Sequence, residues 1–245
     1  MSEQHFATPR AVRLEVTIAA GQIQVVTVDG DDSTVTLEGS QKLIDATKAE
    51  LVGDRLIVQQ RRSGLSSFFG RFGESFKARV HVPHASRVEV VTASADSTLD
   101  GSFGALDLKS ASGDFVVTGE LTGDVSVKTV SGNLRLPRVA GDLIVQTVSG
   151  DVAAESVDGA VTAKSVSGSV QVASLRDGKV DVQSVSGDVG LGIASGTSVD
   201  VDAGTASGHL SSEMPLSDAP GREPGPTVVI RGNTVSGDFR LFRAA

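Results

Sequence analysis

Gly123-Asp124-Val125-Ser126-Val127-Lys128-Thr129-Val130-Ser131-Gly132 is the stretch that decides the fold. Val125 and Val127 alternate with Ser126 and Lys128, a period of two that turns the valines to a buried face and Ser and Lys to solvent. Its closing phrase is a hydroxyl residue, Val or Ala, then Ser-Gly. The phrase recurs at Ser110 to Gly113, Thr129 to Gly132, Thr147 to Gly150, Ser165 to Gly168, Ser184 to Gly187, Thr205 to Gly208 and Thr234 to Gly237. The glycines lie 19, 18, 18, 19, 21 and 29 residues apart. Self-similarity at a fixed period near 20 means stacked supersecondary units.

Other glycines halve that period. From Gly123 the steps to Gly132, Gly141, Gly150, Gly159 and Gly168 are nine residues each, and each nine-residue unit reads as a turn plus a strand. Two strands per 18–20 residues make one coil, with a glycine at each edge. The expected architecture is all-β, a parallel β-solenoid (β-helix-like), right-handed by the general preference of parallel crossovers. Glycine at the corner is expected to supply φ > 0. The Asp, Asn or Ser that follows (Asp114, Asn133, Asp151, Ser169, Asp188, Asp238) is expected to bond backbone groups of that corner. Equivalent positions become columns. The column before Ser-Gly (Ala111, Val130, Val148, Val166, Val185, Ala206, Val235) reads as inward and apolar, and Lys109, Lys128, Gln146, Lys164 and Gln183 read as an outward column.

The chain outside the repeat continues the pattern. Gly21, Gly30 and Gly39 keep the nine-residue spacing. Gln41 to Thr47 is a helical candidate. Ala49 to Val52 and Leu56 to Gln59 form a hairpin about Gly53-Asp54, and Phe76 to Val82 and Arg87 to Val91 are strands about Pro83-His84. Residues 1–95 are read as an N-terminal β segment and cap of the same fold, and residues 96–245 as the Ser-Gly-Asp solenoid. Met214 to Pro226, with four prolines, reads as a surface excursion between the last two coils.

Composition narrows the function classes. A net charge of −8, with no basic stripe bearing interleaved aromatics, argues against nucleic acid. Trp and Tyr are absent, which removes the usual stacking platforms of sugar sites. Cys is absent, so disulfides and thiolate metal sites are excluded. The N-terminus has no Sec-type leader pattern, and no apolar run approaches the roughly 18 residues of a spanning helix. The expectation is a cytoplasmic protein, with the inner membrane face as a second location.

No catalytic constellation stands beside the repeat, and no cofactor or metal is expected. The Asp column, interrupted by Asn133, Ser169 and His209, reads as turn capping rather than a calcium cage. His81-x-x-His84 at a strand end reads as an exposed edge, and Gly190-x-Gly192 lacks the strand-to-helix setting of a dinucleotide fingerprint. The acids sit at corners rather than grouped on one face, which argues against a polysaccharide-cleaving enzyme. The candidate interaction surfaces are the Lys/Gln column and a Phe-rich segment, 63–76, holding Phe68, Phe69 and Phe72. That segment reads either as a membrane or partner docking element or as a loop folding onto the solenoid.

Phe6-x-Thr8-Pro9, then Val16-x-Ile18-x-x-Gly21-x-Ile23, then Val82-Pro83-x-x-Ser86-x-Val88 leading into Thr92-Ala93-Ser94-Ala95-Asp96, and the Ser-Gly-Asp series to the C-terminus carry a family resemblance. Together they resemble the bacterial β-strand-repeat domains of unknown function labelled "putative adhesin", in particular the signal-less actinobacterial type. The resemblance covers nearly the whole chain. It implies a solenoid with no established catalytic residues and a link to the cell envelope and its stress systems. The function expected is a non-catalytic interaction or scaffold protein, with a protein partner or self-association. A surface adhesin that binds glycan is the alternative, and an enzyme acting on polysaccharide is third.

Overall fold

The computed structural model describes residues 1–61, 76–213 and 225–244. Met1–Gly119 and Glu120–Ala245 form two compact units.

In the first unit strict alternation writes the strands. Strand β1 is Ser2–Ala7, β2 is Arg13–Ile18, β3 is Gln22–Val28 and β4 is Asp32–Glu38. In β2, Leu14, Val16 and Ile18 are buried while Arg13 is exposed and Glu15 and Thr17 lie between. The helix α1, Gln41–Asp45, and the antiparallel hairpin β5 (Thr47–Val52) with β6 (Arg55–Gln60) fall where the sequence places them. Then come β7 (Lys77–Pro83), β8 (Ser86–Thr92), β9 (Asp96–Lys109) and β10 (Phe115–Leu121). Between β7 and β8, Ala85 takes φ 59°.

Strand order departs from chain order in this unit. Strand β2 lies between β6 and β8, parallel to both, and β3 lies between β7 and β9 in the same way. The first coil of the chain is therefore covered by a later one. Antiparallel pairing enters outside that coil, where β4 joins β7 and β1 joins β4. Strand β9 serves two legs: Asp96–Asp100 pairs with β3, and Phe103–Lys109 pairs with β8. The bend between them holds Gly101 at φ 124°. Phe103 and Phe115 are fully buried.

The second unit is the regular stack. Its strands are β11 (Val125–Lys128), β12 (Leu134–Val139), β13 (Leu143–Gln146), β14 (Val152–Val157), β15 (Val161–Lys164), β16 (Val170–Leu175), β17 (Gly178–Gln183) and β18 (Val189–Ile193). They continue with β19 (Ser198–Thr205), β20 (Leu210–Ser212), β21 (Thr227–Thr234) and β22 (Phe239–Arg243). On one leg β11, β13, β15 and β17 pair in parallel with Val125, Leu143, Val161 and Val180 in one column. On the other, β12, β14, β16 and β18 align Leu134, Val152, Val170 and Val189. These columns are buried. Each side chain so removed from water contributes roughly 1.5–3 kcal/mol, and because a coil buries its face only against its neighbours the stack coheres cooperatively.

The last coils are not in chain order. Strand β21 pairs with β17 on one side and β19 on the other, and β22 lies between β18 and β20. The C-terminal coil is thus inserted between the coil of β17–β18 and the coil of β19–β20, which becomes outermost. The surface excursion expected at Met214 to Pro226 falls almost wholly on residues 214–224, which lie outside the described residues. The long Gly208–Gly237 interval reflects a chain that passes its own end and returns inward.

Candidate interaction surface

The Ser-Gly corner assigns a task to each residue of its phrase. The first, hydroxyl-bearing residue is buried (Ser110, Thr129, Thr147, Ser165, Ser184 and Thr234). Its Oγ accepts the N–H of the glycine three residues on: 3.0 Å from Gly132 to Thr129, 2.9 Å from Gly150 to Thr147, 2.9 Å from Gly168 to Ser165 and 3.0 Å from Gly187 to Ser184. A buried N–H left without an acceptor costs about 1–3 kcal/mol, which explains why a hydroxyl opens every copy.

The Ser residue pins one coil to the next. Ser149 N–H donates to the Val130 carbonyl at 2.8 Å and Ser167 N–H to the Val148 carbonyl at 2.7 Å. The Ser149 and Ser167 hydroxyls donate to the same carbonyls at 3.3 and 3.2 Å.

Glycine is needed at this corner for a reason other than the expected one. None of the seven Ser-Gly glycines has positive φ. A Cβ on Gly150 would lie 2.0 Å from the Gly132 carbonyl oxygen, on Gly168 2.1 Å from that of Gly150, and on Gly187 2.1 Å from that of Gly168. The corners are stacked so closely that only hydrogen fits. Gly192 answers to the same constraint, since its Cβ would meet the Ala173 oxygen at 1.9 Å.

Asp151, Asp188 and Asp238 of the Asp column reach across to the neighbouring coil. Asp151 Oδ1 accepts the Ser169 N–H at 2.9 Å, Asp188 that of Asp238 at 2.9 Å, and Asp238 that of His209 at 2.8 Å. A second ladder runs up the opposite edge, from Asp124 to the Asp142 N–H at 3.0 Å and from Asp142 to the Ala160 N–H at 2.8 Å. These oxygens serve as inter-coil acceptors.

The valines before Ser-Gly point outward, contrary to the inward reading. Val130, Val148, Val166, Val185 and Val235 are 50, 44, 46, 47 and 53% exposed. The cause is the buried hydroxyl before them: the corner N–H must be satisfied inside, so the next side chain faces water. In the second unit the Ser-to-carbonyl bonds order this column as Val130, Val148, Val166, Val185, Val235 and Ala206.

Two positions before each valine on the β11–β13–β15–β17 leg stand Lys128, Gln146, Lys164 and Gln183, all exposed and in register. Ile144, 43% exposed, adds a methyl cluster to the same leg. Lys109 belongs to the first unit and is committed locally. Its ammonium donates to Asp107 at 2.8 Å and Glu89 at 3.0 Å, and these bonds hold its pKa above the usual lysine value. Phe68, Phe69 and Phe72 lie outside the described residues. What the structure assembles is a row of exposed valines flanked by a Lys/Gln row, each step fixed by backbone and side-chain hydrogen bonds. The valine row was missing from the sequence-based candidates.

No described helix is long and apolar enough to cross a membrane. Among the described residues, no three His, Asp or Glu side chains converge as a metal site would require.

Several solved structures share the architecture. A "putative lipid binding protein" from Parabacteroides distasonis is 14% identical, over 98% of this chain and 96% of that one, with a TM-score of 0.58. A "putative adhesin" from the same organism is 13% identical, with the same shares of the two chains covered and a TM-score of 0.54. At these identities the likeness is one of fold. No curated protein matches the chain. The Toastrack DUF4097 pattern matches residues 12–241, nearly the full length, and the chain belongs to that family.

Proposed function

We propose that this chain is a non-catalytic β-solenoid interaction or scaffold protein, working at the cell envelope or in its stress response from the inner side. The observation that carries the reading is the exposed valine column beside the Lys/Gln column. Half-exposed apolar side chains repeated at every coil contribute nothing to the core, and a contiguous apolar row with a polar flank is the composition of a binding surface. A solenoid presents such rows as one extended surface, because each equivalent side chain sits one strand spacing from the next.

The test is capture from native-host extracts by the full chain and by a triple variant, Val148→Ser with Val166→Ser and Val185→Ser. These positions are half-exposed, so each substitution should change stability by less than about 0.5 kcal/mol. The wild type should retain an envelope-associated partner and the triple variant should lose it at an unchanged melting temperature. Equal retention by both would overturn the assignment of the surface. Fractionation with protease added to intact host cells tests the location, and protection from digestion is expected.

A surface adhesin is the second reading. Two structural relatives motivate it, one described as an adhesin and one as a lipid-binding protein. The valine row also suits apolar contact with a lipid or a host surface. Digestion on intact cells, followed by glycan or liposome binding that the triple variant lacks, would favour it. Peripheral membrane contact through residues 63–76, at the inner membrane face, belongs to the first reading.

A further inference from the structure

The outermost coil of the second unit, Ala194 to Glu213, differs from those beneath it in its unpaired edges and in its charge. Among the described residues β19 pairs only with β21, and β20 only with β22, whereas β21 and β22 are flanked on both sides. Core-side residues in this stack send their N–H to the following coil: Leu143 to Ala160, Val189 to Asp238, Phe239 to His209. In β19 the Ser198 N–H points back to the Pro226 carbonyl. Alternation therefore aims the N–H groups of Val199, Val201 and Ala203 at the side on which no described strand pairs. Those three residues, which stack on Val228, Ile230 and Gly232, remain only half-buried, and Leu210 is 51% exposed.

The charge of this coil says what fits there. Residues 194–213 contain Asp200, Asp202 and Glu213 and no Lys or Arg. The inserted coil beneath supplies the cations: Arg231 lies 3.3 Å from Asp202, and Arg240 lies 2.8 Å from Glu213. Asp200 sits across from Val229 and is exposed. By contrast, the edge strand β5 carries Lys48 and Glu50 bonded to each other, so its charge is already balanced.

We infer that β19 is an acceptor edge for an extended segment of another protein, with apolar residues at alternate positions and Lys or Arg between them. Added as a strand, such a segment takes the N–H groups of Val199, Val201 and Ala203. It also covers their side chains and sets a cation beside the exposed Asp200. A second copy of β19 fits poorly. An antiparallel pair centred on Val201 would bring Asp200 of one copy against Asp202 of the other, and like charges directly opposite are destabilising. The proposal rests on the binding role given above but uses a different surface.

The experiment is fluorescence anisotropy with the full chain and two labelled peptides, Arg-Val-Lys-Val-Lys-Val-Thr and the same peptide with Glu at its three cationic positions. The chain should bind the basic peptide and not the acidic one, with affinity falling as salt rises. Asp200→Lys should weaken the basic peptide about five-fold and gain binding of the acidic one. Val201→Pro, which removes an edge donor, should abolish both. Melting curves check that the variants fold, and if Val201→Pro does not, the Asp200→Lys exchange of preference decides alone.

No binding of the basic peptide, equal binding of both peptides, or binding only after deletion of residues 214–224 would each overturn the inference. So would a wild-type self-association that Val201→Pro disrupts, since the edge would then serve a second copy. Peptide binding that survives in the valine triple variant separates the two claims. It would leave the edge standing whatever happens to the valine column.

Discussion

Gly30 in the first unit and Gly150 in the second share a nine-residue rhythm and a position between strands, yet they are glycine for opposite reasons. Gly30 has φ 125° and nothing within 4 Å of where a Cβ would stand. Gly150 lacks positive φ, and the Gly132 carbonyl oxygen would lie 2.0 Å from its Cβ. The first glycine bends its own chain. The second lets one coil lie on another. The lesson is that a periodic glycine does not by itself reveal whether the constraint is torsional or steric, and the two differ in energy and in what can relieve them.

Substitution separates the two cases. Gly150→Ala presses a methyl onto backbone that cannot move without parting the coils, so it should cost about 3–5 kcal/mol or abolish cooperative unfolding of the stack, read by urea denaturation. Gly30→Ala meets open space and carries only the torsional penalty, about 1–2 kcal/mol in the same measurement. A Gly30 variant as damaging as the Gly150 variant would erase the distinction. Asp151→Ala sharpens the stacking side of it. Removing the acceptor of the Ser169 N–H at an exposed corner should cost about 0.5–1 kcal/mol, several-fold less than the steric insult one residue earlier.

The smallest effect concerns the first unit and pH. Arg55 grips Glu15 with two bonds, 2.8 and 2.7 Å, and that grip holds the Glu15 carboxyl below its ordinary pKa. A depressed folded pKa stabilises fully above the unfolded value and is lost as pH falls through the folded one. Glu15→Gln should therefore differ from wild type near neutral pH and converge with it in acid, as thermal melts across that range would show. A gap that widens in acid would contradict the pairing.

Much of the fold was legible because period-two alternation and period-nine glycines are backbone requirements written into side chains. The helix at Gln41–Asp45 and the β5–β6 hairpin followed from the same local rules. The same alternation also carries the orientation of the valine column. Carrying the alternation of Val125 and Val127 one step further puts Thr129 inside and Val130 outside. Hydropathy suggested the reverse, since it ranks Val above Thr. The buried Gly132 N–H bonded to Thr129 Oγ1 outweighs that ranking. Coil order could not be read, because Thr205 to Gly208 and Thr234 to Gly237 are near-identical phrases and either would stack on Gly187. Of the candidate surface, the Lys/Gln column was found from its outward phase. The β19 edge was not, because an edge is defined by what fails to pair with it.

Which side chain of the phrase faces inward is tested most directly by one paired measurement, the denaturation midpoints of Thr147→Val and Val148→Ser in the full chain. Thr147→Val is close to isosteric and removes the acceptor of the buried Gly150 N–H, so it should destabilise by about 1–3 kcal/mol. Val148→Ser alters a half-exposed side chain and should shift stability by less than about 0.5 kcal/mol. The opposite result, a neutral Thr147→Val and a Val148→Ser loss of about 1.5–3 kcal/mol, would place the valine in the core and contradict the corner described here.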